Sequence, residues 1–513
     1  MAKKDSKSEV GGWSSLLADL ERRKKEARAM GGAEKLARQR TGGRLDARAR
    51  VEALLDVDSF VELGTLVGGV REPGGPKTPA DALVAGAGRI HGCPVLVGAE
   101  DFSVLGGSIG PGAADKRTRL AHLAAQERVP LIMLLEGAGH RLTNMLRPRG
   151  RGPNDLQGLA ELSGIVPTVC VVMGPSAGHG ALTAPLMDFV IMVKGAALFS
   201  AGPPLVEAAV GQKVTKEELG GPAVHVATSG VAHNRAGSDQ SALDMVRRYL
   251  SYFPGNAFEA PPHNDGGDTG PRRLDDILDL IPVDDRRPYA MRELIDRVCD
   301  HESVLEIQPE YGKAIVTSLA FLGGRAVAII ANDPAIRGGA VDSDAALKGS
   351  RFLEVVGAFH LPVVFFADNP GVMAGTQAEA EGALRAAARM FAAQHRLRSP
   401  KFSVTLRKAF GFGSSIMAMN PFDDQTLSIA LPGVSLGAMP AKSGGAAAKV
   451  GAEVQAELEA GEASGPYGVA NSMAFDEIID PRELRNVLLR GLELAGARQR
   501  GPLSPVSRVG TLP

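Results

Sequence analysis

The sequence predicts an α/β protein built from two tandem domains related by internal duplication. Three observations carry this. Runs of β-branched residues alternate with helix-like stretches, the pattern of βαβ units. The 513 residues exceed what one ordinary core holds. The second half repeats the first in register. Val95–Asp101 aligns with Val327–Asp333 at a spacing of 232 residues, which also pairs Gly106-Gly107 with Gly338-Gly339, Lys116 with Lys348, Pro130 with Pro362, Glu136 with Asp368 and Gly139 with Gly371. At a spacing of 233, Pro167 pairs with Pro400, Gly178 with Gly411 and Gly180 with Gly413. Strands, turns and punctuating residues all keep register, so chance is a weak rival.

Taken in order, residues 1–50 are polar and read as a helical arm, with solvated charges at Glu21–Glu26. Asp46 has the chemistry to cap a helix carrying Val51, Leu54 and Leu55. The first domain is expected over 51–253. Leu83–Gly92 and Pro94–Asp101 form a hairpin turning at His91-Gly92, followed by a helix near 113–127 and a buried strand over Val129–Leu135. A strand over Val166–Met173 then runs into the small-residue turn Gly174–Ala181. Four prolines and several glycines over Pro254–Arg273 mark a linker, set at 254–288. The second domain is expected over 289–513.

The net charge of −1 gives no reason to expect nucleic acid or a membrane surface as partner. No apolar run approaches a membrane span, and Met1–Ser6 lacks an apolar signal core. Cys93, Cys170 and Cys299 stand far apart, which suggests neither a disulfide framework nor a zinc site. Cys93 and Cys170 lie in apolar runs and read as core residues. A cytoplasmic protein with no metal in this chain is expected.

The turn after Met173 holds the most chemistry. Uncovered N–H groups at a helix start can bind an oxyanion. Its twin is Lys408–Ser414, and two such turns suit a reaction that handles two oxyanions. Gly174–Gly178 also matches the G-x-S-x-G nucleophile elbow, with Ser176 as nucleophile. Against it, Pro175 fits the strained elbow poorly and Ala409 stands at the twin position of Ser176. Glu136 and Asp368 end their strands as acid or base candidates, or as caps of the turn. Lys116, Arg117 and Arg119 either meet a phosphate-bearing ligand or form a solvated helix face. Ala418-Met419-Asn420 is similar to the A-M-K-M biotin site without its lysine, and no Walker-type signature is present.

These residues together resemble a known family. Gly43–Arg50 with Leu54-Leu55-Asp56 and Ser59-Phe60, Phe102–Gly107, Gly174–Phe189, Leu198–Pro203, Glu217–Gly221 with His225 and Ser229–His233, Asp368–Gly371 with Gly375-Thr376, and Arg407–Gly411 are similar in order and spacing to motifs of the carboxyltransferase (β) subunits of biotin-dependent acyl-CoA carboxylases. The propionyl-CoA, methylcrotonyl-CoA and acyl-CoA carboxylases belong to that family. The resemblance implies two crotonase-like (ClpP/crotonase) β-β-α domains, the first for acyl-CoA and the second for carboxybiotin. It implies a homo-hexamer, a trimer of dimers, working with a biotin carboxylase/biotin carboxyl carrier partner that bears the biotin.

By the same resemblance, the backbone N–H groups of Gly178 and His179 stabilise the thioester oxygen. Those of Phe412 and Gly413 stabilise the ureido oxygen of biotin, whose freed nitrogen is the base. Gly137, Ala138, Gly139, Arg141, Gly371, Gly375, Thr376 and Gly411 line the substrates. The chain departs from the family at Gly137–Arg141, where one small residue is shifted, at His179, which replaces a Gly, and at Phe412 and Ser415. Three alternatives stand beside carboxyl transfer to an acyl-CoA: a biotin-dependent decarboxylase carboxyltransferase, a non-catalytic scaffold of a carboxylase complex, and a serine hydrolase using Ser176.

Overall fold

The computed structural model describes residues 9–69, 76–142, 154–420, 422–499 and 503–506. The expected signal-free run Met1–Ser6 lies outside them. The chain divides into two compact units, Met1–His225 with Arg235–Arg247, and Val226–Asn234 with Arg248–Pro513. The stretch 254–288 packs onto the second unit: Leu274 and Ile277 are buried in its core, because a segment with that much apolar surface is more stable covered than strung through water. The end of the N-terminal arm is likewise buried, with Arg50 fully enclosed in the first unit.

The first unit holds β1 (Val61–Leu63), β2 (Leu83–Ile90), β3 (Cys93–Glu100), β4 (Leu131–Gly137), β5 (Thr168–Ala177), β6 (Phe189–Val193), β7 (Ala197–Phe199) and β8 (Asn234–Ala236). The sheet runs β1-β2-β3-β4-β5-β6-β8, with β7 on the far end of β5. The second holds β9 (Leu305–Ile307), β10 (Ile315–Leu322), β11 (Arg325–Asn332), β12 (Val363–Asn369), β13 (Lys401–Phe410), β14 (Gln425–Ala430), β15 (Ser435–Gly437) and β16 (Glu477–Ile478). Its order, β9-β10-β11-β12-β13-β14-β16 with β15 on β13, is the same. Strands β3–β6 and β11–β14 pair in parallel and are covered on both faces, which is why their sequences are continuous Val/Ile/Leu/Phe runs.

The duplication extends to individual partners. Leu83 faces Glu100 as Ile315 faces Asn332, and Leu96 faces Leu131 as Ala328 faces Val363, all at the spacing of 232. Thr168 on Leu131 corresponds to Lys401 on Val363 at 233. The hairpins turn through His91-Gly92 and Gly323-Gly324, all four at positive φ as a tight two-residue turn requires. Each turn is tied down by one carboxylate: Asp56 accepts from the amides of His91 and Gly92, and Asp300 from those of Gly323 and Gly324. Asp46 caps the helix Ala47–Leu54 as expected, accepting from the Ala49 amide at 3.0 Å.

Two expectations change. Cys93 is exposed, because it opens β3 directly after the turn, where the hairpin tip has no layer above it; Cys170 is buried. Lys116 and Arg117 are buried on the helix Pro111–Glu127, and only Arg119 lies on its solvated face. Lys116 Nζ donates to the carbonyls of Ala80 and Leu83 and Lys348 Nζ to those of Tyr311 and Ile315, so this buried lysine ties a helix to a strand start in both units. Among the described residues, no helix is long and apolar enough to cross a membrane.

Candidate active site

In the first unit β5 ends at Ala177 and the backbone turns sharply into the short helix Gly178–Ala181. Gly178 sits at φ 60, in the left-handed region that favours glycine. In the second unit β13 ends at Phe410 and Gly411 opens Gly411–Ile416 at φ 56. The twin turns therefore share conformation as well as position. The amides following each glycine open a helix, where no preceding carbonyl of the helix is available to them. Register pairs His179 with Phe412 and Gly180 with Gly413, so the expected donors Gly178/His179 and Phe412/Gly413 are staggered by one residue between the units.

A second chain segment abuts each turn. In the first unit Gly139, at φ 76, lies against the Ala177 carbonyl, where a Cβ would come within 2.6 Å. Its own carbonyl accepts from the Ile109 amide at 2.8 Å, and Arg141 N–H donates back to Ile109 at 3.0 Å. The second unit repeats this as Val341 on Gly371 at 3.1 Å and Met373 on Val341 at 2.9 Å. Gly413 is pressed against Gly371 and Asn369, and a Cβ there would sit 2.6 Å from the Gly371 Cα. Gly137 is buried, Ala138 is exposed but gives its N–H to the Gly106 carbonyl, and Gly375 and Thr376 are exposed at the start of Thr376–Ala380. The Arg141 guanidinium is held by Asp81 at 2.7 Å and by Ser108, so it braces the turn from within the unit.

The strand-end acids are committed to cations. Glu136 accepts from Arg50 at 2.6 Å, Arg44 at 3.0 Å and Gln39 at 3.3 Å, while Asp368 accepts from Arg407 at 2.8 Å and has Lys408 at 3.3 Å. Both are buried, and neither is poised as a free acid or base. Arg407 is held in turn by the carbonyls of Pro282, Asp284 and Arg287 and lies 4.6 Å over the Tyr289 ring. Ser176 lies within β5, opposite Gly137, with a fully buried hydroxyl that has no partner. A nucleophile elbow needs its hydroxyl exposed at the turn, and this geometry removes that reading.

Sequence reasoning missed one cluster. His179 places Nε2 2.5 Å from Asp155 Oδ1, and Asp155 Oδ2 accepts from Arg117 Nε at 2.6 Å. Arg117 continues to Glu100 at 3.1 Å and to the Thr183 hydroxyl. The ring of His140 lies 4.6 Å from that of His179. Burial raises Asp155, but the His179 hydrogen bond and the Arg117 charge outweigh it and hold the carboxyl near pKa 2. Burial and the neighbouring His179 lower His140. In the second unit Phe412 is 42% exposed and lies 5.6 Å from Phe391, which stacks on His395.

Residues 38–508 match the family described as the carboxyl transferase domain. The propionyl-CoA carboxylase carboxyltransferase subunit of Haloferax mediterranei is 31% identical, over 97% of this chain and 99% of its own. The methylmalonyl-CoA decarboxylase subunit alpha of Veillonella parvula is 32% identical, over 92% and 94%. The hexameric transcarboxylase 12S structure with methylmalonyl-coenzyme A and methylmalonic acid bound superposes with a TM-score of 0.89 at 29% identity, covering 100% of both chains. The chain belongs to the carboxyl transferase domain family, as the enzyme class that serves as carboxyltransferase subunit of biotin-dependent acyl-CoA carboxylases.

Proposed function

We propose that the first unit binds an acyl-CoA and the second the carboxybiotin of a separate biotin carboxylase/carrier subunit, and that the carboxyl group passes to the acyl α-carbon. The observation that carries this is the matched pair of positive-φ glycine turns, Gly178 and Gly411, one per unit, in a chain of this family. Removing the α-proton of a thioester develops charge on its oxygen, and fixed backbone N–H groups stabilise such charge at a cost already met in folding. We assign the amides of Gly178 and His179 to that oxygen and those of Phe412 and Gly413 to the ureido oxygen. Carboxybiotin supplies the activated carboxyl group when bound. Gly137, Ala138, Gly139 and Arg141 shape the acyl side, and Gly371, Gly375, Thr376 and Gly411 the biotin side. A homo-hexamer acting in the cytoplasm completes the reading, in line with the hexamer named for transcarboxylase 12S.

The test is carboxylation of an acyl-CoA panel with the biotinylated partner present. Turnover on at least one member is expected, and none on any would sink the reading in favour of a scaffold. Similarity to a decarboxylase subunit favours a second direction on the same fold. Loss of CO₂ from carboxylated CoA thioesters in the presence of free biotin, exceeding carboxylation under matched conditions, would assign that direction.

A further inference from the structure

We propose that the second unit carries a phosphoryl-binding site at the head of β13, built by Arg398, Ser399 and Arg498, which takes a small phosphomonoester or free phosphate. The site goes beyond carboxyl transfer and requires no part of that reading.

The sheet fixes its position. Arg398, Ser399 and Pro400 join the helix Ala383–His395 to the start of β13, whereas Gly411 follows its other end. Ten residues of strand put about 30 Å between them. A cavity of about 340 Å³ opens at the strand head, within the roughly 300–1,000 Å³ of small-molecule sites. Pro400, Leu503 and Pro505 give it apolar walls. Its frame is held by hydrogen bonds: His360 Nε2 donates to the Ala257 carbonyl at 2.8 Å, and Gln499 Nε2 donates to the His360 carbonyl at 3.1 Å, which anchors the chain beside Arg498.

Charge points to an anion. Arg498 Nη2 lies 3.5 Å from the Arg398 carbonyl, so the two arginines stand together, and among the described residues that line the cavity none is acidic. Asp423 is already taken, by Lys401 at 3.0 Å and His395 at 2.6 Å. Two guanidinium groups without a carboxylate repel, and an anion between them reverses that sign.

A second observation is independent of charge. Ser399 lines the same cavity, is 4% exposed, and its hydroxyl has no hydrogen-bond partner. Leaving a buried hydroxyl unpaired costs stability, and a ligand oxygen restores the bond. The fold itself does not ask for this chemistry. At the spacing of 233, the first unit has Ile165 and Val166 where the second has Arg398 and Ser399, and Val166 is fully buried. The strand head is thus built once with apolar residues and once with a cation and a hydroxyl.

The donor set selects the ligand class. Two guanidinium forks and a hydroxyl match a group with about −1.5 to −2 charge at pH 7 and three acceptor oxygens, as a phosphoryl group has, whereas a lone carboxylate brings a single charge. The apolar walls receive the body of a small ester.

Isothermal titration of the full chain with inorganic phosphate, AMP and, as an uncharged control, adenosine, all at one ionic strength, tests this. Saturable binding of phosphate or AMP with Kd below about 1 mM is expected, and none of adenosine. Arg398→Gln and Arg498→Gln should each weaken binding at least about tenfold, and Ser399→Val, which installs the residue of the twin position, about threefold or more. Both arginines are exposed, so their variants should keep the native circular dichroism spectrum. AMP binding tighter than phosphate assigns the ester as ligand, and phosphate binding at least as tightly assigns the free anion; either result supports the site. No saturable binding of either probe in that range, equal binding of adenosine and AMP, or native affinity in both folded arginine variants would overturn it.

Discussion

At the scale of single residues, the site depends on where a side chain is forbidden. Gly107 and Gly339 each approach a strand-end carbonyl, of Glu136 and of Asp368, so closely that a Cβ would fall 2.2 Å from the oxygen. Gly178 has positive φ too, but the nearest atom to its Cβ position is the Ser200 carbonyl at 3.8 Å. Gly107→Ala should therefore destabilise by about 2–4 kcal/mol, from clash plus strain, and Gly178→Ala by only about 1 kcal/mol. Urea unfolding of both variants checks the order; equal effects would contradict it. His233 makes a pH prediction. Burial, then the charges of Arg351 and Lys348, push it from 6.5 to about 3. The unfolded chain takes that proton near pH 6.5, and the folded unit only near 3. The contribution to stability is thus full above pH 6.5 and is lost as pH falls from 6.5 toward 3, by at most about 1.4 kcal/mol per pH unit. His233→Gln should flatten the decline between pH 6.5 and 5 in denaturant melts.

At the scale of elements, the strand beside each glycine turn ends in a buried acid, and the two units recruit its counter-charge differently. The first takes Arg44 and Arg50 from the arm, and the second takes Arg407 and Lys408 from β13 itself. Removing Arg50 leaves Glu136 enclosed with only the part-exposed Arg44 and Gln39, and leaves Asp239 without its arginine partner. Arg50→Ala should cost about 3–5 kcal/mol, against a smaller loss of about 1–2 kcal/mol for Arg44→Ala, whose guanidinium is part-exposed and whose removal leaves Arg50 on Glu136. Equal midpoints for the two variants in guanidinium unfolding would show that the anchor is not the buried pair.

At the scale of the whole molecule, the proposed assignment of one turn to each substrate divides the labour between the two units. Gly411→Val should retain acyl-CoA binding within about twofold while lowering carboxyl transfer at least about 100-fold, since its turn is assigned to the other oxyanion. Gly178→Val should lower transfer similarly. Calorimetric binding and the carboxylation assay, run on both variants, separate the two roles. Loss of acyl-CoA binding in the Gly411 variant, with its fold intact, would contradict the assignment.

The α/β class, the repeat at 232 and 233 residues, the hairpin at His91-Gly92 and the Asp46 cap were legible in the chain because each is local or periodic. The turn at Gly178 was legible because its twin at Gly411 kept register, and the family followed from ordered motifs. Burial of Lys116 and Arg117 was not legible, because nothing in a helix of mixed charge says which cations meet carbonyls and carboxylates from other elements. Asp155 lies 24 residues from His179, and only packing brings them to hydrogen-bond distance. Glu136 and Asp368 read as acids from their strand-end positions, and only the arginines folded onto them decided otherwise. Sequence by itself determined the backbone, since periodicity and glycine conformation are properties of short windows. Tertiary structure alone decided which side chains are spent on one another and which stay available, because that depends on partners distant along the chain.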